Sequence, residues 1–514
     1  MNKLLNGLTN ATNFTLTENG AITHKTTRSD LLDMFAMGGA MRNRPEEDVI
    51  LMFRKAFAEN PVYALKCLFY LRDVRGGQGE RRFFRLCIND LAKSNPEAVK
   101  RNLALIPEYG RYDDLYALIG TPVEKDVLEF FKMQLALDVS CKTPSLLAKW
   151  LKSENTSSAE SRKLANKTRK FLGMTHKEYR KTLSYLRTKI NVLEKLMSEG
   201  RWDEIEFDKI PSRAGMIYKN AFARHDIERA KSEKAVQTYA EFAKDSTKKV
   251  NAKALYPYEC VHEVVERAGY NYSGPRIYKG YYKGDETTRL MINKYWDNLT
   301  DYFNKSSFDA LCMVDTSGSM YGTPIEVAIS LGLYCAEKCR GPFAGHYMSF
   351  ASKPQLIKTE GIDFVDKVVR IWETNLVDNT NIEAAFDLLL ETAINNQCSQ
   401  EDLPKNLIVI SDMEFDAARG NSYWETKDSR TPETLMECIA KKWANAGYEM
   451  PHLVYWNVDS RQNNIPMLGQ GKISYVSGFS PSIFETLMSG KSGLELMFEK
   501  LGSDRYKDIK KNQV

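Results

Sequence analysis

Two kinds of apolar patterning divide the chain. From Asp30 to about Val250 apolar residues recur at intervals of three and four, the signature of amphipathic helices. Ser29-Asp30 caps a predicted helix over Leu31–Met37, which Gly38-Gly39 ends. Pro45-Glu46-Glu47-Asp48 opens the next, carrying Val49, Ile50, Leu51, Phe53, Ala56 and Phe57. Asn60-Pro61 opens a third, with Ala64, Leu65, Leu68, Phe69 and Leu71 on one face. Gly76-Gly77-Gln78-Gly79 breaks it, and Arg81–Leu91 is another. Asn95-Pro96-Glu97 and Thr121-Pro122-Val123-Glu124 repeat one grammar: a capping residue, a proline, then an acidic first turn. Ser161–Phe171 and a capped start at Thr175-His176-Lys177-Glu178 continue the series. Helices of this length joined by short loops predict an α-helical array of degenerate, HEAT-like repeats.

Beyond residue 306 the pattern changes to short continuous apolar runs alternating with helical stretches. Strands are predicted at 308–314, 343–350, 406–411, 451–457 and 473–476, and helices at 324–339, 362–373, 382–394 and 432–446. This alternation predicts a doubly wound, Rossmann-like α/β domain whose site lies outside the carboxyl ends of its central strands. Residues 1–28, rich in Thr and Asn, read as an arm of extended or short-strand character. Residues 251–293, rich in tyrosine, read as a partly extended connection. The expected domains are therefore an arm at 1–28, a basic helical domain at 29–250, a connecting segment at 251–305 and an α/β domain at 306–514.

A chain of 514 residues exceeds one core, so several domains are expected. No run of 18 apolar residues occurs, which predicts no membrane span. The N-terminus turns polar at once, so no signal peptide is expected. The 9 cysteines are scattered without a C-x-x-C, which points to reducing cytosol, with Cys335 and Cys339 as buried thiols. The net charge of +5 hides an asymmetry. Residues 1–300 hold 51 Lys+Arg against 38 Asp+Glu, and residues 301–514 hold 21 against 29. A basic part joined to an acidic one suggests that the first meets a polyanion.

Candidate chemistry centres on Asp315-Thr316-Ser317-Gly318-Ser319, which follows the apolar run Phe308–Val314. A carboxylate and two hydroxyls at alternating positions of a tight turn converge on one point and make an oxygen-rich setting for a hard cation. Enzyme motifs fail. His262-Glu263-Val264-Val265-Glu266 lacks the second histidine of a zincin helix, and Gly490-Lys491-Ser492 has Glu485 where a P-loop needs glycine. No G-x-S-x-G occurs. These residues give no enzyme.

Asp-x-Ser-x-Ser is the metal-ion-dependent adhesion motif of von Willebrand factor A domains, and the rest of the chain resembles that family in order. Asp378-Asn379-Thr380-Asn381-Ile382 resembles its second loop, and Leu407–Ser411 ending in Asp412 resembles its third. The resemblance implies Asp315, Ser317, Ser319, Thr380 and Asp412 as ligands of Mg2+, or of Mn2+ or Ca2+. Two departures stand out: Asp378-Asn379 where many members have Gly-Gly, and Met413 where glycine is common.

A basic helical domain followed by such a domain resembles the TROVE/Ro family of RNA-binding proteins, and more closely an uncharacterised group from plants, phages and large viruses. The resemblance rests on Leu32-Asp33-Met34-Phe35, Arg72 to Arg81, Ala148-Lys149-Trp150-Leu151, Pro211-Ser212-Arg213, Phe222 to Asp226, and Ser411-Asp412-Met413-Glu414-Phe415. It implies small or structured RNA held on the basic array, hence a cytoplasmic ribonucleoprotein scaffold. Between Lys152 and Lys195 there are twelve Lys/Arg, and Pro211–Asp226 mixes bases with aromatics, which suits a phosphate backbone with stacked bases and equally a helix that buries Met216 and Phe222 while its arginines reach solvent. The candidate phosphate contacts are Arg75, Arg81, Arg82, Arg162, Lys163, Lys167, Arg169, Lys170, Arg213, Lys219 and Arg224. The alternative is a metal-dependent protein–protein interaction module without RNA, in which a partner's acidic side chain completes the metal's coordination.

Overall fold

The computed structural model describes residues 4, 8, 12–268, 282–304, 307–350, 353–374, 380–417, 433–468 and 472–510. The chain forms two compact units that do not follow the expected boundaries. The α/β unit takes residues 1–60 and 255–503, and the helical unit takes 61–254 and 504–514.

The α/β unit begins with a hairpin of β1 (Phe14–Leu16) and β2 (Ile22–His24). Its main sheet contains β3 (Ala310–Asp315), β4 (His346–Phe350), β5 (Gln355–Lys358), β6 (Asn406–Ser411), β7 (His452–Asn457) and β8 (Ile473–Ser477). The order is β5-β4-β3-β6-β7-β8, with β5 antiparallel and every other pairing parallel. β3, β7 and β8 are buried along their whole length, as near-continuous apolar runs in a covered parallel sheet require. β5 escaped the sequence reading because its residues are exposed or half-buried, so no apolar run marks it.

The helices fall close to their predicted places, at Thr323–Lys338, Phe364–Thr374, Ile382–Asn395 and Leu435–Asn445. The tyrosine-rich segment departs from expectation. It contains the helices Pro257–Ala268 and Glu286–Asp297, which pack on Thr323–Lys338 and Phe364–Thr374 and so belong to the α/β unit. The helix Asp30–Met37 also belongs here, packed on β8 and on Glu46–Glu59. At Gly39 a Cβ would lie 2.6 Å from the Ser477 carbonyl oxygen, so only glycine permits this approach.

The helical unit runs from Pro61–Arg72 through Arg81–Ser94, Pro96–Arg101, Glu124–Ser140, Ala159–Phe171, His176–Lys189 and Ser212–Arg224 to Tyr239–Lys244. Local signals placed these termini. Thr175 and Glu178 form the reciprocal capping box that their spacing predicts, and the Asn95 side chain accepts from the Ala98 amide ahead of Pro96. The C-terminal residues close this unit. Tyr506 is fully buried and stacks on Tyr109 at 5.6 Å between centroids. Asn102 donates to the Lys510 carbonyl at 2.8 Å.

Candidate functional site

In the α/β unit the chain passes from β3 to β4 on one side and later returns to β6 on the other. The switch point lies between β3 and β6, whose carboxyl ends carry Asp315 and Asp412. Asp315 is fully buried. Its Oδ1 accepts from the Ser317 amide at 2.9 Å and its Oδ2 from the Ser411 hydroxyl at 2.5 Å. The Ser317 and Ser319 hydroxyls lie 3.0 Å apart on the same turn. Burial, and then the neighbouring Asp412 charge, push the Asp315 carboxyl up to about 7. Such a pair of carboxylates favours a cation between or beside them.

Asp412 is shared among several donors. Its Oδ1 accepts from the Glu414 amide at 3.1 Å, and its Oδ2 pairs with Arg461 Nη2 at 2.6 Å. Arg461 also holds Glu18 at 2.7 Å through Nη1. Met413 adopts φ of +67°, which explains why glycine suits this position and places backbone strain beside the site. Glu414 is fully buried and accepts from the Glu18 amide, Gln462 and Asn464 at 2.6, 2.9 and 2.7 Å. Desolvation raises its pKa. The β1–β2 turn closes over this end of the sheet. The Asn19 amide donates to the Glu414 carbonyl at 2.6 Å and to the Thr380 hydroxyl at 3.4 Å. Asp378 and Asn379 lie outside the described residues.

The structure therefore joins Asp315, Ser317, Ser319 and Asp412 through a short hydrogen-bonded chain, and Thr380 reaches the same end by way of Asn19. Two carboxylates and three hydroxyls at this end of the sheet are oxygen donors of the kind a hard divalent ion takes. Among the described residues no cluster of three or more His, Cys, Asp or Glu has metal-binding geometry. Arg461, Glu414 and Asn19 were missed from sequence. Arg461 was within reach, because it lies in the loop that follows β7 at the carboxyl end of that strand.

In the helical unit the predicted cations scatter. Several serve the fold. Lys167 pairs with Glu124 at 2.6 Å, Arg169 with Glu154 at 2.8 Å, and Arg162 caps the Thr156 and Ser157 carbonyls of its own helix start. Arg75 donates to the Glu108 carbonyl, Lys219 to that of Met216 and Arg224 to that of Asn220. Lys163, Lys170 and Arg213 are exposed and Arg82 is half-buried. Arg81 joins a group that sequence reasoning overlooked. Arg72, Arg85 and Arg111 share the carboxylates of Asp113 and Asp114 at 2.7 to 2.9 Å. Burial and these three guanidiniums lower the Arg81 pKa to about 10. Arg111 also stacks on the Trp150 ring at 3.9 Å, at the wall of a cleft of about 880 Å³.

Fold and site together define a two-part protein, one unit α-helical and cationic, the other doubly wound with an oxygen-lined switch point. The chain belongs to the family described as a domain of unknown function, DUF2828, whose model matches residues 17–170 and 133–307. A second domain of unknown function, DUF7788, matches residues 309–513. An uncharacterized protein of Acanthamoeba polyphaga mimivirus is 30% identical over 93% of this chain and 85% of its own. The crystal structure of the Ro (RSR) protein of Deinococcus radiodurans covers 92% of this chain and 95% of that one. It does so at 12% identity and a TM-score of 0.34, so the two superpose only loosely. Among the described residues no helix is long and apolar enough to cross a membrane.

Proposed function

We propose that the protein is a non-enzymatic RNA-binding scaffold. Its helical unit holds structured RNA by the phosphate backbone, and its α/β unit is an A-type domain that carries one divalent cation. The supporting observation is Arg81, a fourth guanidinium beside the three of Arg72, Arg85 and Arg111 that pair with Asp113 and Asp114. It sits in a unit that holds 42 Lys+Arg against 27 Asp+Glu. Arginine suits this role because its planar fork matches two phosphate oxygens at once.

In the second unit Asp315, Ser317, Ser319, Thr380 and Asp412 would hold Mg2+, with Mn2+ or Ca2+ also compatible with an oxygen donor set. The ion would offset the buried carboxylate charge and could accept an acidic group of a protein partner.

The test is a salt series with a blunt-ended RNA hairpin, followed by anisotropy between 50 and 200 mM salt. Wild type should lose affinity linearly in log–log form. The triple variant Arg81→Gln, Lys163→Gln, Lys170→Gln should flatten the slope by roughly 0.7–0.9 per phosphate contact removed. A slope unchanged in the variant, or no binding by wild type at low salt, would refute the assignment. EDTA should leave this binding intact.

A further inference from the structure

We propose that the cleft between the helices Leu147–Trp150, His176–Lys189, Leu193–Ser198 and Ser212–Arg224 is a pocket for one nucleotide unit. Its phosphate would sit on Arg180, Arg187 and Arg213, and its base against the wall that includes Trp150. The inference deepens the RNA reading and rests on it only for the source of the nucleotide.

The argument starts from charge. Six cations and two carboxylates line the cleft, but several of these cations are already neutralised. Lys149 pairs with Glu194 at 3.8 Å, Lys195 with Glu199 at 2.6 Å, and Arg111 with Asp113 at 2.7 Å. The lining carboxylate Glu154 is taken by Arg169 and His176 at 2.8 and 2.9 Å. Arg187 differs. Among the described residues its guanidinium donates only to neutral oxygens, the carbonyls of Ala148 and Leu151 at 2.9 and 3.0 Å and the Ser153 hydroxyl at 3.1 Å. These contacts fix the group but do not offset its charge, and burial accordingly lowers its pKa. Three of five N–H groups are used, so two remain for a ligand. A rigid, half-buried cation compensated by no carboxylate in a concave site attracts an anion. Arg180, whose Nε contacts the His176 carbonyl at 3.4 Å, and exposed Arg213 extend the same wall.

Inorganic phosphate alone would leave most of the cleft unfilled. The cleft's volume of about 880 Å³ lies within the range of small-molecule sites, and its remaining lining combines the apolar and aromatic Trp150, Leu183, Val192, Ile217 and Tyr218 with polar side chains. Trp150 is held by the Arg111 guanidinium stacked on its ring, so little side-chain freedom is lost when a base packs there. The hydroxyls of Ser184 and Ser198 supply partners for a sugar. A nucleotide joins an anion to a planar group through a hydroxylated linker and so matches these three features.

The experiment uses the full chain, with tryptophan fluorescence and anisotropy as readouts and three probes. These are AMP, a blunt RNA hairpin, and the same hairpin with unpaired 3′ nucleotides. AMP should quench fluorescence, and Trp150→Phe should remove that quench. Arg180→Gln/Arg213→Gln, both at exposed positions, should weaken AMP and the unpaired-end increment at least tenfold while blunt-hairpin affinity changes less than twofold. Saturable AMP binding identifies a free nucleotide as a ligand, and an increment seen only with the tailed hairpin identifies the nucleotide as part of RNA. If AMP and the tailed hairpin both ignore Arg180→Gln/Arg213→Gln, the pocket assignment is overturned. A phosphoserine peptide that competes as well as AMP overturns it too. Loss of blunt-hairpin binding alone would remove the RNA scaffold and leave the pocket standing.

Discussion

The C-terminal segment gives the sharpest test of how the helical unit is held together. Asp73 is completely buried in the turn after Pro61–Arg72, where its carboxylate receives Arg505 through Nε and, at 2.5 Å, Nη2. The Tyr506 hydroxyl adds a bond at 3.0 Å and the Arg75 amide another at 3.0 Å. Removing one partner of a buried pair costs about 3–5 kcal/mol, because the other charge is left unpaired. Arg505 is 34% exposed, so water screens part of that, and Arg505→Ala should cost about 2 kcal/mol. Tyr506 is fully buried, and Tyr506→Ala should cost about 3–5 kcal/mol by loss of the aromatic ring. Truncation after Ser503 removes both, about 5–7 kcal/mol, which matches the lower end of an ordinary domain's stability. Urea unfolding of the full chain followed by circular dichroism, with limited proteolysis of the helical unit, measures this. The diagnostic variant is Asp73→Asn/Arg505→Ala. It should be more stable than the additive sum, since the stranded charge is gone. Strict additivity, or an Arg505→Ala cost below about 0.5 kcal/mol, would refute an unpaired buried charge as the cause.

Two further outcomes concern the switch point. Folded Asp315 has its pKa raised from 3.8 to about 7, so between those values the native state binds more protons than the unfolded chain. Metal-free stability of the α/β unit should therefore fall as pH rises through that window, and Asp315→Asn should flatten the dependence in thermal melts. A wild-type stability that rises across the window would contradict the burial of Asp315. Arg461 places a positive charge 2.6 Å from Asp412 Oδ2 and so opposes a second cation there. Arg461→Gln should tighten Mg2+ affinity several-fold by calorimetry, and equal or weaker affinity would show that Arg461 supports the site instead.

The sequence by itself determined what is local. Capping residues with an acidic first turn placed the helix starts, because a side chain three residues away satisfies an otherwise unpaired amide, as at Thr175 and Asn95. Continuous apolar runs ending in aspartate placed β3 and β6, and Asp-x-Ser-x-Ser placed three oxygens on one turn. Only the tertiary structure decided which apolar faces meet. Asp30–Met37 has the amphipathic pattern of the helices that follow, yet it packs on β8, with the Gly39 amide donating to Ser477 across 438 residues at 2.9 Å. Residues 504–510 follow the α/β unit in sequence but close the helical one, since Asp73 needs Arg505. β5 carries no apolar run because it is an exposed edge. Charge followed the same rule. Lys167 and Arg169 read as a cationic face, but carboxylates distant in sequence neutralise them, whereas Arg187, unremarkable in sequence, lines a cleft and donates to neutral oxygens. A side chain's net field depends on what folding places within a few ångströms of it, and that information lies outside any short window of sequence.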